Sequence, residues 1–160
     1  TSNSDEATTT TNAKVEFTVS DDATGETADL LIEGTSGADT IIGGSGDDII
    51  FGGAGSDTLE GGAGADMFVW NKADADSSHD TVVDFNVAED VLNLSDLLSD
   101  GSLTIEGIEV GVAGSEHLQL NIKDGGNTVQ EIELSGVLTA GDAAATLQSL
   151  LDSGAINDGI

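Results

Sequence analysis

Gly34-Thr-Ser-Gly-Ala-Asp-Thr-Ile-Ile42, Gly43-Gly-Ser-Gly-Asp-Asp-Ile-Ile-Phe51, Gly52-Gly-Ala-Gly-Ser-Asp-Thr-Leu-Glu60 and Gly61-Gly-Ala-Gly-Ala-Asp-Met-Phe-Val69 are four consecutive copies of one nine-residue unit. The sixth position is always aspartate (Asp39, Asp48, Asp57, Asp66) and the eighth always apolar (Ile41, Ile50, Leu59, Phe68). A glycine-rich stretch can take positive φ and bend back sharply, and the residues after it are long enough for one short strand. Two copies then make one rung of a solenoid. Odd copies stack in one parallel sheet, even copies in the other, and the eighth side chains fill a thin shared core. A low-complexity linker has no reason to keep aspartate and apolar positions in phase.

Stacking brings each aspartate near the one two copies away, Asp39 near Asp57 and Asp48 near Asp66. Two carboxylates about 4 Å apart repel by about 1 kcal/mol in water and about 4 kcal/mol at a near-surface dielectric. A cation between them removes that cost. Carboxylate and carbonyl oxygens are hard ligands, which favours calcium over zinc or copper.

The stretch resembles the RTX (repeats-in-toxin) family, whose unit Gly-Gly-x-Gly-x-Asp-x-apolar-x the second to fourth copies match fully; the first departs at Thr35. The resemblance implies two calcium sites, Asp39 with Asp57 and Asp48 with Asp66. It further implies backbone ligands from Gly34, Ser36 and Gly37, from Gly43, Ser45 and Gly46, from Gly52, Ala54 and Gly55, and from Gly61, Ala63 and Gly64.

Composition agrees with an extracellular, calcium-dependent chain. Across 160 residues, 31 acidic side chains face 3 basic ones, a formal charge of -28. Such a field repels nucleic acid and anionic membranes, so no nucleic-acid partner is expected. With neither cysteine nor proline, a small secreted domain needs another staple, and metal is available. No apolar run approaches the roughly 18 residues of a membrane span. Because the chain opens on Thr1, it reads as an excised piece. It is expected to be monomeric.

Residues 1–12 read as a flexible linker, and 13–33 as a strand (Lys14 to Val19) followed by a degenerate half-repeat. There Leu30 replaces the aspartate, so the segment caps the roll without metal. The parallel β-roll occupies 34–70. Beyond it, 71–160 reads as a mainly antiparallel, β-rich cap: strands Thr81 to Phe85, Val91 to Leu94, Leu103 to Val110, His117 to Ile122 and Thr128 to Leu134. Asp124-Gly125-Gly126-Asn127 signals a hairpin. A helix starts at the N-cap Asp142, puts Ala143, Leu147, Leu150 and Leu151 on one face, and ends at Gly154. The class is all-β with one short helix, and one cooperative domain is expected over two loosely joined ones. Even copies point Ile49, Phe51, Met67 and Val69 outward, so the segment after Trp70 is expected to pack over that face.

Other constellations say less. Asp74-x-Asp76-x-Ser78-x-Asp80 lacks the EF-hand glycine and its final glutamate. Asp76, Asp80 and Asp84 are nonetheless candidates for an extra calcium site at the end of the roll, against a plain solvated acidic turn. His79 and His117 are too unaccompanied for zinc. Trp70 fits a plug for the roll's open end. No Gly-x-Ser-x-Gly elbow, His-Glu-x-x-His helix or Walker loop is present, so catalysis is not expected.

The segment after the roll also resembles RTX proteins exported by type I secretion, through Asp80-Thr-Val-Val-Asp84-Phe85, then Glu89-Asp90-Val-Leu-Asn-Leu-Ser-Asp-Leu-Leu98, and the resemblance implies that 71–160 also holds a C-terminal type I secretion signal. The resemblance is to the C-terminal region of large RTX adhesins of biofilms and surface attachment. It implies a secreted, extracellular or cell-surface location, with an ABC transporter and its outer-membrane channel as partners. The alternative is the C-terminal region of a secreted enzyme, such as a serralysin-like metalloprotease or a lipase. A surface- or glycan-binding module is a third reading, and it lacks an aromatic platform.

Overall fold

The computed structural model describes residues 6–8, 29–112, 115–138 and 142–159. Each repeat strand follows its bend as expected: β3 (Thr40–Ser45), β4 (Ile49–Phe51), β5 (Thr58–Ala63) and β6 (Met67–Val69), and ahead of them lie β1 (Glu6–Thr8) and β2 (Leu31–Glu33). They alternate between two sheets, with β2, β4 and β6 parallel in one and β3 and β5 parallel in the other.

The roll does not stop at the last repeat. β7 (His79–Val82) adds in parallel to β5, and β8 (Val91–Asn93) adds in parallel to β6. The segment after Trp70 was expected to turn antiparallel and lie across the outer face of the even sheet. Instead it first lengthens both sheets edge to edge, leaving Ile49 39% exposed and Phe51 and Met67 half-buried. The cause is visible in the chain: Asp80-Thr-Val82 and Asp90-Val-Leu92 repeat the aspartate-x-apolar triplet, which suits the same rung.

The antiparallel part then follows as β9 (Leu103–Val112), β10 (Ser115–Asp124) and β11 (Asn127–Leu138). The expected hairpin is present, with Asp124 opposite Asn127 and both intervening glycines at positive φ, as a type I′ turn requires. β11 docks in parallel on β7, so one sheet runs β3-β5-β7-β11-β10-β9. Helix α1 (Ala143–Ser153) packs on β9 and β10, and β12 (Ile156–Asn157) completes the other sheet, β1-β2-β4-β6-β8-β12. The Asp142 carboxylate accepts the Ala145 N–H at 2.9 Å, and Gly154 closes the helix at φ 81°.

One core runs through both parts. Ile32, Ile50, Phe68 and Leu92 align across one sheet, Ile41, Leu59 and Val82 across the other, all at most 1% exposed. Leu134 and Ile156 continue these rows into the cap. Burying each such side chain is worth about 1.5–3 kcal/mol. Glu6–Thr8, within the expected linker, pairs with β2, because an edge strand offers backbone hydrogen bonds whatever the side chains. The expected strand Lys14 to Val19 and Gly25 lie outside the described residues.

Candidate metal centre

The aspartates form two columns. On one edge the Asp39 N–H donates to Asp57 Oδ1 and the Asp57 N–H to Asp80 Oδ1, both at 2.9 Å. On the other, Leu30 N–H donates to Asp48 Oδ1 (2.8 Å), Asp48 N–H to Asp66 Oδ1 (2.9 Å) and Asp66 N–H to Asp90 Oδ1 (3.0 Å). The expected pairs, Asp39 with Asp57 and Asp48 with Asp66, are therefore brought together. Leu30 takes its rung with the backbone alone, its side chain buried in the core.

One oxygen of each repeat aspartate is left over. Asp39 Oδ1, Asp48 Oδ2, Asp57 Oδ2 and Asp66 Oδ2 are buried without a hydrogen-bond partner. An unpaired buried carboxylate oxygen carries an uncompensated desolvation cost. Burial accordingly pushes Asp57 up to about 8 and Asp48 up to about 6, and raises Asp66, with neighbouring aspartates adding to each rise. The described lysines do not help: Lys72 pairs with Asp100 and Lys123 with Glu106.

Bend geometry brings one of those oxygens, Asp48 Oδ2, close to a backbone oxygen. Gly44, Gly53 and Gly62, second in their bends, and Gly46, Gly55 and Gly64, fourth, all take positive φ. Gly43 is glycine for want of space: a Cβ there would collide with both Asp48 Oδ2 and the Gly61 carbonyl oxygen. An unpaired carboxylate oxygen and a carbonyl of the next bend thus crowd one spot. Among the described residues no three His, Cys, Asp or Glu side chains converge as a metal cluster. A cation in these bends must take much of its shell from carbonyls, which suits calcium. The residues fit the ion.

The first bend differs. Neither Thr35 nor Gly37 takes positive φ, and Asp39 Oδ2 accepts the Thr35 N–H at 2.6 Å and its hydroxyl at 2.9 Å. Of the extra candidates, Asp80 is fully buried and saturated, its Oδ2 accepting Trp70 Nε1 at 2.7 Å and Gln130 Nε2 at 2.8 Å. Trp70 is itself buried, so it plugs the roll and also donates into it. Asp76 accepts the N–H groups of Gly55 and Ser78, and the Ser78 hydrogen bonds hold its carboxyl below the usual range. Asp84 accepts those of Gly61 and Gly62. Asp90 is the column member the candidate ligand set left out; its aspartate-x-apolar triplet was the available signal. His79 lies between Glu131 and Glu133, and His117 Nδ1 accepts the Gly136 N–H, both packing roles.

A stacked parallel roll with acidic bends defines a calcium-binding β-solenoid. Residues 33–68 match the RTX calcium-binding nonapeptide repeat, in four copies, so this stretch of the chain carries RTX repeats. Among solved structures it is similar to the AlgE6R3 subunit of the Azotobacter vinelandii mannuronan C5-epimerase, at 27% identity, covering 74% of this chain and 76% of that one with a TM-score of 0.43. No curated protein matches.

Proposed function

We propose that this is the noncatalytic, calcium-binding C-terminal export region of a large secreted adhesin, passed C-terminus first through a type I secretion system and folded outside the cell by calcium. The observation that carries the reading is the set of buried, unpaired aspartate oxygens at the bends. In the cytosol, calcium lies far below the roughly 10⁻⁴ to 10⁻³ M at which extracellular modules bind. At a formal charge of -28, self-repulsion keeps the chain open and threadable there. Outside, the ion binds only the folded form, so its binding free energy becomes folding free energy. Repeats of this kind are typical of secreted proteins. Among the described residues no helix is long and apolar enough to cross a membrane.

The test is secretion from cells that carry a type I transporter. The whole chain is expected in the medium, and a chain lacking residues 142–160 is expected to stay inside. Equal export of both would contradict the C-terminal signal, and absence of both from the medium would contradict the export role.

A further inference from the structure

We propose that the cation column runs past the glycine repeats, with one ion held at Asp57 against the bend 75–80 and another at Asp66 against the bend 84–90. This rests on the calcium reading of the repeats and extends it beyond residues 33–68, which match the repeat family.

The first support is the pair of unpaired oxygens. Asp57 and Asp66 are 2% and 1% exposed, and each leaves Oδ2 without a partner. At Asp48 the equivalent oxygen lies by the Gly61 carbonyl, which belongs to the next bend on the same edge. By the same stacking, Asp57 faces the bend that ends at Asp80, and Asp66 the bend that ends at Asp90, as their N–H bonds to those residues show. Hard oxygens in both bends suit a divalent cation of calcium's class.

The second support is where the bare Oδ2 atoms stop. In bends whose second residue is a glycine at positive φ (Gly44, Gly53, Gly62), the aspartate Oδ2 is open. Where that residue is Thr35 or Asn86, its N–H reaches four residues on and closes Oδ2 of Asp39 (2.6 Å) or Asp90 (2.7 Å). Asp80 Oδ2 is closed by Trp70 and Gln130. N–H donors thus stand where a cation would neutralise the charge. The Oδ2 atoms left open are those of Asp48, Asp57 and Asp66, which gives three ions per chain, two of them with a partner bend outside the repeats. The bare oxygen of Asp39 is instead Oδ1, the atom that in the other three accepts an N–H from the rung before.

Metal analysis of the calcium-loaded chain, with terbium as a luminescent substitute, tests this. Trp70 is the chain's one tryptophan, and it bonds the same Asp80 that holds the Asp57 N–H. Energy transfer from tryptophan falls steeply with distance, so it reports the Asp57 ion most strongly. Three ions are expected, with Asp57→Asn losing one ion and most of the sensitised emission, and Asp48→Asn losing one ion with the emission kept. Two ions in the unaltered chain would overturn the proposal even if Asp57→Asn fails to fold. Emission indifferent to Asp57→Asn in a folded variant would overturn it too. Absence of any bound ion would overturn the calcium reading together with it.

Discussion

Asp48 and Asp66, separated by 18 positions in sequence, are joined directly: the Asp48 backbone N–H donates to Asp66 Oδ1 at 2.9 Å. The contact holds one carboxylate oxygen in register with the rung above while the other turns into its own bend, unpaired. One side chain therefore serves both as a strut between rungs and as an anionic ligand.

Separating these two roles gives opposite effects in two buffers. Asp66→Asn keeps an oxygen for the Asp48 N–H and removes the charge. Without calcium the variant should unfold less readily than the parent, since a desolvated charge is gone. With calcium its folding midpoint should move to at least tenfold higher calcium, about 1.4 kcal/mol. Parallel titrations followed by circular dichroism would show both signs.

Space at the first position of the bend is a separate requirement. A Cβ on Gly43 would meet Asp48 Oδ2 and the Gly61 carbonyl oxygen, whereas Gly125, at the hairpin, has open space around it. Gly43→Ala should cost on the order of 1–3 kcal/mol through overpacking, and weaken calcium binding as well. Gly125→Ala should leave calcium affinity unchanged and pay only the backbone strain of positive φ. Denaturant melts at saturating calcium compare the two.

Acid should substitute for calcium in part. Burial raises Asp48 and Asp80 to about 6 and Asp57 to about 8, from 3.8. A carboxylate whose folded-state pKa is raised binds its proton more tightly in the fold. Its contribution is complete below about pH 4 and is lost as pH rises through 6 and then 8. The calcium-free chain should therefore gain β signal on acidification from pH 8 toward pH 4, and Asp57→Asn should flatten the upper part of that curve. A profile unchanged by Asp57→Asn would contradict the assignment.

The seal at the end of the roll predicts a calcium-independent loss. Trp70→Phe keeps an aromatic plug but removes the N–H that donates to Asp80 Oδ2. Leaving that buried carboxylate one donor short should cost about 1–3 kcal/mol, read as a lower Tm at saturating calcium with the ion count unchanged.

Much of this was legible because the nine-residue period is strict. It set the two sheets, the buried eighth positions and the pairing of Asp39 with Asp57 and Asp48 with Asp66. The hairpin at Gly125-Gly126 and the caps of the helix were legible from local turn and cap chemistry. What the period hid was the roll's continuation. From Asp57 to Asp80 the step is 23 residues and from Asp66 to Asp90 it is 24, against 18 between repeats, so the last rung falls out of phase. Only the triplets Asp80-Thr-Val82 and Asp90-Val-Leu92 mark it. The partners of Asp80, Trp70 and Gln130, come from distant parts of the chain, and no local pattern joins them.

The central claim is that cations at the acidic bends turn a self-repelling chain into a folded roll. Calcium titration of the purified chain at pH 7.5, starting in EGTA and followed by far-ultraviolet circular dichroism, tests it most directly. The account predicts a mainly unfolded spectrum in EGTA and a cooperative gain of β signal as calcium reaches the extracellular range. A full β spectrum already present in EGTA, unchanged by calcium, would contradict it.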